Sequence, residues 1–307
     1  MRFPVNDYQQ AVTARPLDFA EETSGMLRFV RGWHLTSPHS RFGGLSAVAV
    51  MAPGRFQFVA DTGYWTRMTL RPSGEVAAFH IAALPTPGGQ RRKKSMIDAE
   101  AMTYDPASGR TRVAFESINE IWRFDRGLKG IEARTAPAAM RHWSAYAGPE
   151  SMVRLADGRT ILFREAPGDD PRGSEALLFT GDPTMAGPPP LRFYYDAEGK
   201  GSLSDAAPLP DGRILLVHRR LGFRPVFTTI LGLLDPASIA PGKVVRSREI
   251  GRVPRPLADN FEGAAVEARG GRTWLWLVSD DNFNSWQRSL LLQFELVGIS
   301  DSKKAAR

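Results

Sequence analysis

The hydrophobic positions of this chain fall in short runs broken by turn residues, and few stretches sustain the 3.6-residue period of an amphipathic helix. The runs are rich in Val, Ile, Leu, Phe and Trp, and the breaks are rich in Gly and Pro, so the pattern predicts strands joined by tight turns. Five stretches repeat one another: "LSAVAVMAPGRFQFVAD" (45–61), "EAMTYDPASGRTRVAFE" (100–116), "ESMVRLADGRTILFRE" (150–165), "DAAPLPDGRILLVHR" (205–219) and "EGAAVEARGGRTWLWLVSD" (262–280). Each is an apolar run, a turn closing on Gly-Arg, and a second apolar run. The glycines are Gly54, Gly109, Gly158, Gly212 and Gly271, which by subtraction lie 55, 49, 54 and 59 residues apart. Glycine suits these places because a tight hairpin turn requires a positive φ.

A third apolar run follows in every repeat: "WTRMTL", "EIWRF", "EALLFTG", "VFTTILGLLD" and "SLLLQFEL". Three or four strands recurring at this interval describe the blades of a β-propeller. The expected fold class is therefore all-β, a propeller of five blades by repeat count, with six as the alternative count. The last repeat is too short for a fourth strand, and the N-terminal run "MLRFVRGWHL" (26–35) can supply it, closing the ring and covering the exposed edges. The division that follows is an extension over 1–24, one propeller domain over 25–300 and a tail over 301–307. The competing architecture, an open array or two β-sandwiches, requires five near-periodic Gly-Arg turns to arise by coincidence.

In a blade the first strand lies nearest the axis and the second runs antiparallel to it, so the start of the first and the end of the second share one mouth of the channel. Those places hold Leu45 with Asp61, Glu100 with Glu116, Glu150 with Glu165, Asp205 with Arg219, and Glu262 with Asp280, eight acids among ten positions. Like charges on paired strands repel, so such a rim calls for a cation or an arginine. Hard divalent cations, Ca²⁺ above all, take oxygen ligands of this kind. Candidate ligands are Asp61, Asp98, Glu100, Glu150, Glu165, Asp205, Asn260, Glu262, Asp280, Asp281 and Asn282, with Asn119 following Glu116. Glu100, Glu116, Glu262 and Asp280 are the candidate catalytic carboxylates, and Arg219, Arg220, Arg141 and His142 the candidate anion-binding groups. In the opposing reading Arg164, Arg219, Arg220 and Arg141 pair with these acids and lock blade to blade, leaving a non-catalytic propeller that binds a ligand or partner at the same mouth.

Composition narrows the chemistry. The 307 residues are 42% hydrophobic, enough for a large core, and the net charge of +7 resides mostly in Arg. The densest basic run, "QRRKK" at 90–94, follows "PTPGG" and reads as a solvated loop; no zinc knuckle, helix-turn-helix or RNA-recognition pattern accompanies it, so no nucleic-acid partner is expected. Without cysteine there is no disulfide, thiol nucleophile or Cys-ligated metal. No apolar stretch reaches the length of a membrane span, and the start "MRFPVNDYQQAV" lacks the apolar core of a signal peptide. His34, His39, His80, His142 and His218 form no HExxH or close pair, there is no G-x-S-x-G, and Ser46 is only a weak nucleophile candidate. Glycine patterns for a dinucleotide or a nucleotide phosphate are also lacking.

The stretches "FGGLSAVAV" leading to "FVADTGYW", "DAEAMTYDPASG" leading to "VAFESINEIWRFD", "GPESMVRLADGR", and "DNFEGAAVE" leading to "SDDNF" and "LLLQFEL" resemble the phytase-like family, whose members are called esterase-like activity of phytase proteins. The resemblance runs from about Arg31 to Val297. It implies a propeller, commonly exported to the bacterial periplasm, and Ca²⁺-assisted hydrolysis of a small-molecule phosphoester or other ester. A lactonase-like enzyme would use the same centre, and a monomer is expected. The family's acidic motifs fall on Asp98, Glu100, Glu116, Glu150, Asn260, Glu262, Asp280 and Asn282. Leu45 and Arg219 depart from the acidic pattern and make the ring asymmetric.

Overall fold

The computed structural model describes residues 11–89, 96–165 and 170–299; the basic run at 90–94 and the tail over 301–307 lie outside the described residues. Three strands precede the first repeat: β1 (Thr13–Pro16), β2 (Thr23–Ser24) and β3 (Leu27–Thr36). Blade 1 is β4 (Leu45–Ala52), β5 (Arg55–Ala60), β6 (Tyr64–Leu70) and β7 (Val76–Ala83), and blade 2 is β8 (Ala99–Tyr104), β9 (Thr111–Phe115), β10 (Glu120–Phe124) and β11 (Ile131–Thr135). Blade 3 comprises β12 (Pro149–Arg154), β13 (Thr160–Arg164), β14 (Ser174–Phe179) and β15 (Leu191–Tyr195). Blade 4 begins with β16 (Ser202–Pro208), β17 (Ile214–Leu221) and β18 (Phe227–Leu234). The chain then returns to blade 3, where β19 (Val244–Val245) lies parallel to β15, before β20 (Arg248–Arg252) completes blade 4. Blade 5 is β21 (Phe261–Arg269), β22 (Arg272–Ser279) and β23 (Leu290–Leu296).

The fourth strand of blade 5 is β3, antiparallel to β23 from Leu290 opposite His34 to Leu296 opposite Leu27. The N-terminal run thus closes the ring as its sequence predicts. On the outside β1 pairs with β3, so the segment ahead of the closing strand also belongs to this sheet. The inner strands pack in the circuit β4, β8, β12, β16, β21 and back to β4, giving five blades. All five repeat glycines take positive φ, from 71° at Gly54 to 92° at Gly158. No helix among the described residues is long and apolar enough to cross a membrane.

The core is divided into five layers, one between each pair of neighbouring blades. Strand β17 shows why the sequence runs are continuously apolar rather than alternating. Its Ile214 and Leu216 face blade 3, while Leu215 and Val217 face blade 5, so both sides of the sheet are dry. Some of the polar groups inside are matched to one another. Between blades 3 and 4 the buried Tyr195 hydroxyl lies 2.6 Å from both His218 Nε2 and Ser247 Oγ, and His218 Nδ1 is 3.1 Å from the Ile230 carbonyl. Burial holds His218 near a pKa of about 4 and therefore neutral.

Ring closure rests on the apolar face of β3. Phe29 is fully buried and meets Phe294 of β23 and Phe19 edge-on, with ring centroids 5.6 and 5.2 Å apart. We expect Phe29→Ala to lower unfolding free energy by about 3–5 kcal/mol in a urea titration, the cost of an uncollapsed aromatic cavity. A loss below about 1 kcal/mol would mean that the clasp does not hold the ring.

Candidate functional site

Every inner strand carries an irregularity at the same mouth, and β4 has a second one near its turn, between Val50 and Ala52. Pairing between the first and second strands shifts register between Leu45 and Ala47, Ala99 and Ala101, Pro149 and Ser151, Leu203 and Asp205, and Phe261 and Gly263. The residues left unpaired are Ser46, Glu100, Glu150, Ser204 and Glu262. A bulge bends the strand and re-aims its extra side chain, and here it does so five times around one axis. A second feature repeats beside it. The residue after the second strand donates its N–H to the carbonyl two residues before the bulge: Asp61 to Gly44 (2.9 Å), Glu116 to Asp98 (2.8 Å), Glu165 to Gly148 (3.1 Å) and Asp280 to Asn260 (2.9 Å). In blade 4 Arg219 takes that place opposite Ser202.

This register corrects the sequence alignment at two positions. The equivalents of Glu100 in blades 1 and 4 are Ser46 and Ser204, not Leu45 and Asp205, so seven of the ten rim positions are acidic rather than eight. Asp205 stands one residue beyond its bulge, buried, and accepts from the Ala206 and Ala264 amides at 2.8 and 2.7 Å, tying blade 4 to blade 5. Leu45 is in the core. Counting back from each turn glycine would have found the serines: the bulge lies eight residues before Gly54, Gly158 and Gly212 and nine before Gly109 and Gly271.

Carboxylates converge on the side of blades 2 and 3. Asp98, Glu100 and Glu116 bring carboxylate oxygens within 4.8 Å of one another, and so do Glu116, Glu150 and Glu165, the two groups sharing Glu116. Burial pushes the Glu100 and Glu150 carboxyls well above the usual range, and their neighbours add to it, Glu150 and Glu262 at Glu100, Glu165 and Glu262 at Glu150. Glu116 is raised to about 7 by burial, against the hydrogen bond it accepts from the Gly148 amide and with the repulsion of Glu165. Burial also raises Glu165, although Arg219 and Arg164 oppose it. None of Glu100, Glu116, Glu150 and Glu165 has an ion-pair partner among the described residues.

Blades 4 and 5 neutralise their own charge. Arg219 donates to Glu262 Oε1 and, at 2.7 Å, to Asn260 Oδ1, while Asn260 Nδ2 reaches Glu262 at 2.8 Å. Burial opposes the Arg219 charge, but Glu262, Glu150 and Glu165 outweigh it and raise its pKa. Asp280 beside them is raised to about 8 by burial and by Glu262, while accepting from the Asn282 amide at 2.7 Å. Asp281 accepts from the Gly44 amide at 3.0 Å and holds the blade 1 loop down, and Asn282 is exposed. Buried Asp61 faces Gly44, where a Cβ would lie 2.3 Å from Asp61 Oδ1.

The remaining candidates are elsewhere. His142 lies 2.7 Å from Glu175, which also holds Arg192, on the outer part of blade 3. Arg141 and Arg220 are exposed and make no ion pair among the described residues, and Arg164 donates to the Ala147 carbonyl. Of the four arginines proposed to lock the blades, only Arg219 engages a rim acid.

The donor set suits a hard cation. It consists of oxygen alone, and close to Glu116, across Gly148, lies Asn119 Oδ1, a buried acceptor with no hydrogen-bond partner among the described residues. Gly148 leaves the space: a Cβ there would lie 2.8 Å from Asn119 Oδ1 and 3.0 Å from Glu116 Cγ.

Fold and mouth together define a five-bladed propeller with an acidic axial site. A family model for Phytase-like proteins, described as esterase-like activity of phytase, matches residues 40–283, and the chain belongs to that family. No curated protein matches it. Similar solved structures include a luciferin-regenerating enzyme (11% identity, 95% of this chain and 97% of that one, TM-score 0.47) and a nidogen/laminin complex (8%, 91% and 93%, 0.46). A third is Kuenenia stuttgartiensis hydrazine synthase (10%, 80% of this chain, 0.43), of which the chain spans 59%. At these scores the likenesses carry no functional information.

The raised carboxyls predict how the cation-free protein responds to pH. A carboxyl whose pKa is higher folded than unfolded stabilises the fold below its unfolded value and loses that contribution as pH rises through the folded one. For Glu116 and Asp280 the loss ends near pH 7 and pH 8. His218 acts oppositely, but only below its ordinary value of 6.5. In chelator the melting temperature should therefore fall between about pH 6.5 and 8.5, and the Glu116→Gln/Asp280→Asn variant should flatten the fall. A flat profile for the unaltered protein would contradict the crowding.

Proposed function

We propose that the chain is a Ca²⁺-dependent hydrolase of small phosphoesters or related esters, with Glu116, Glu150, Glu165 and Asn119 Oδ1 holding the ion and Glu100 beside them acting as general base. The observation that carries this reading is the pair of overlapping carboxylate groups, of which Glu100, Glu116, Glu150 and Glu165 have no ion-pair partner among the described residues, in a mouth where Arg219 is committed to Glu262. A divalent cation bound there supplies a Lewis acid toward the ester or phosphoryl oxygen. Glu100 lies outside the ligand group and meets it only through Glu116, so beside a bound ion, whose charge would offset the crowding that holds Glu100 protonated, it would accept a proton from attacking water. Asp280 carries a proton up to about pH 8 and can give it to the leaving oxygen. Arg219, held in place by Asn260 and Glu262, presents a fixed positive charge to an anionic substrate. From the family resemblance the reading includes export to the periplasm, and it takes the chain to act as a monomer.

Titration calorimetry of Ca²⁺ into chelator-treated protein, with turnover of phosphoester and lactone substrates, tests it. We expect Glu150→Gln to abolish tight binding, and Glu100→Gln to retain binding while losing about 10²–10⁴-fold in turnover. Binding lost with Glu150→Gln but no turnover by the unaltered protein would favour a structural ion in a ligand-binding propeller. No binding at all would remove the metal from the account.

A further inference from the structure

We propose that the rim of blades 4 and 5 docks on an anionic lipid surface through the β17–β18 hairpin and the loop that follows β22. Pairing of β17 with β16 stops at Arg219, whereas pairing with β18 continues to Leu221 opposite Phe227. The hairpin therefore overhangs its blade by two residues, about 7 Å at the rise of a strand. Its tip is apolar and open: Leu221 is 69%, Phe223 88% and Val226 44% exposed. On the neighbouring loop Trp286 is 62% exposed and stacks on Phe227, the rings 5.8 Å apart and 6° from parallel, which fixes the two loops as one unit.

Charge identifies the occupant. The segment 219–228 carries three arginines and no acid. Arg219 points into the mouth and is engaged, but Arg220 and Arg224 are exposed and without an ion-pair partner among the described residues, as is Arg255, which shares a cleft with Arg220 and the single acid Glu22. Aromatic and aliphatic tips flanked by arginine are the composition of an interfacial membrane contact, in which the apolar side chains enter the acyl boundary and the cations meet the head groups. The exposed side chains of Leu221 and Phe223 lie outside the cleft that Arg220, Phe227 and Arg255 line, so they offer their apolar surface to an extended partner rather than to a small ligand seated in that cleft. Of the acids on this side, Glu262 is paired with Arg219, Asp280 is buried and Asp281 accepts from the Gly44 and Phe283 amides, while Glu100, Glu116, Glu150 and Glu165 lie across the mouth on blades 2 and 3, so an anionic surface meets the basic side. The proposal does not depend on hydrolysis.

The test is co-sedimentation of the full chain with phosphatidylcholine vesicles with and without phosphatidylglycerol. We expect binding to the phosphatidylglycerol vesicles that high salt weakens, and roughly tenfold weaker binding for Leu221→Ser/Phe223→Ser and for Arg224→Glu, with unchanged melting temperatures. Absence of wild-type binding, or variants that bind as wild type does, would overturn the proposal. So would vesicle-independent self-association in sedimentation velocity that the Leu221→Ser/Phe223→Ser variant abolishes, since the patch would then be a contact between copies.

Discussion

Carboxylates from neighbouring blades can share one channel mouth only if their mutual repulsion is removed, and the chain removes it in three ways. Glu262 receives an arginine, Asp205 receives two backbone amides, and on blades 2 and 3 Glu116 receives one amide while Glu100, Glu150 and Glu165 have no ion-pair partner among the described residues. Left without a counter-charge, those acids hold protons at pH values where carboxylates are ordinarily ionised. A divalent cation does the same work without the protons, and an oxygen donor set in a partly dry cleft is the environment in which it would replace them.

The five bulges give this crowding its geometry. A regular inner strand would alternate its side chains between the two blade interfaces, both of which are apolar. The unpaired residue escapes that alternation, which lets a glutamate occupy a strand otherwise committed to core. Where blades 1 and 4 carry Ser46 and Ser204 instead, the ring has gaps, and Arg219 stands beside the second of them. The asymmetry of the mouth is thus built from small substitutions on one repeated frame.

Most of the frame was legible in the sequence because it depends on local rules. A positive-φ glycine at each turn, strands with two apolar faces and a closing N-terminal run each leave a mark in a handful of adjacent residues. The second-strand acids Asp61, Glu116, Glu165 and Asp280 aligned correctly for the same reason, since each lies at a fixed point of its hairpin. Alignment of the first-strand positions failed at Leu45 and Asp205 because a bulge changes the count by one without changing residue types. The outer strands were less readable still. That β19 leaves blade 4 to pair with β15 reflects packing between distant segments, and nothing in "GKVV" announces it. His142 shared a neighbourhood with the acids only in sequence; it lies in the turn between β11 and β12, and its partner Glu175 is on β14, the third strand of blade 3.

The account stands or falls on whether the uncompensated carboxylates hold a cation. The most direct measurement is anomalous scattering from crystals of the protein grown with Mn²⁺ in place of Ca²⁺. The account predicts a peak ligated by Glu116, Glu150 and Glu165. A map with no peak there, with the ion on Glu262 and Asp280 instead or nowhere in the mouth, would contradict it.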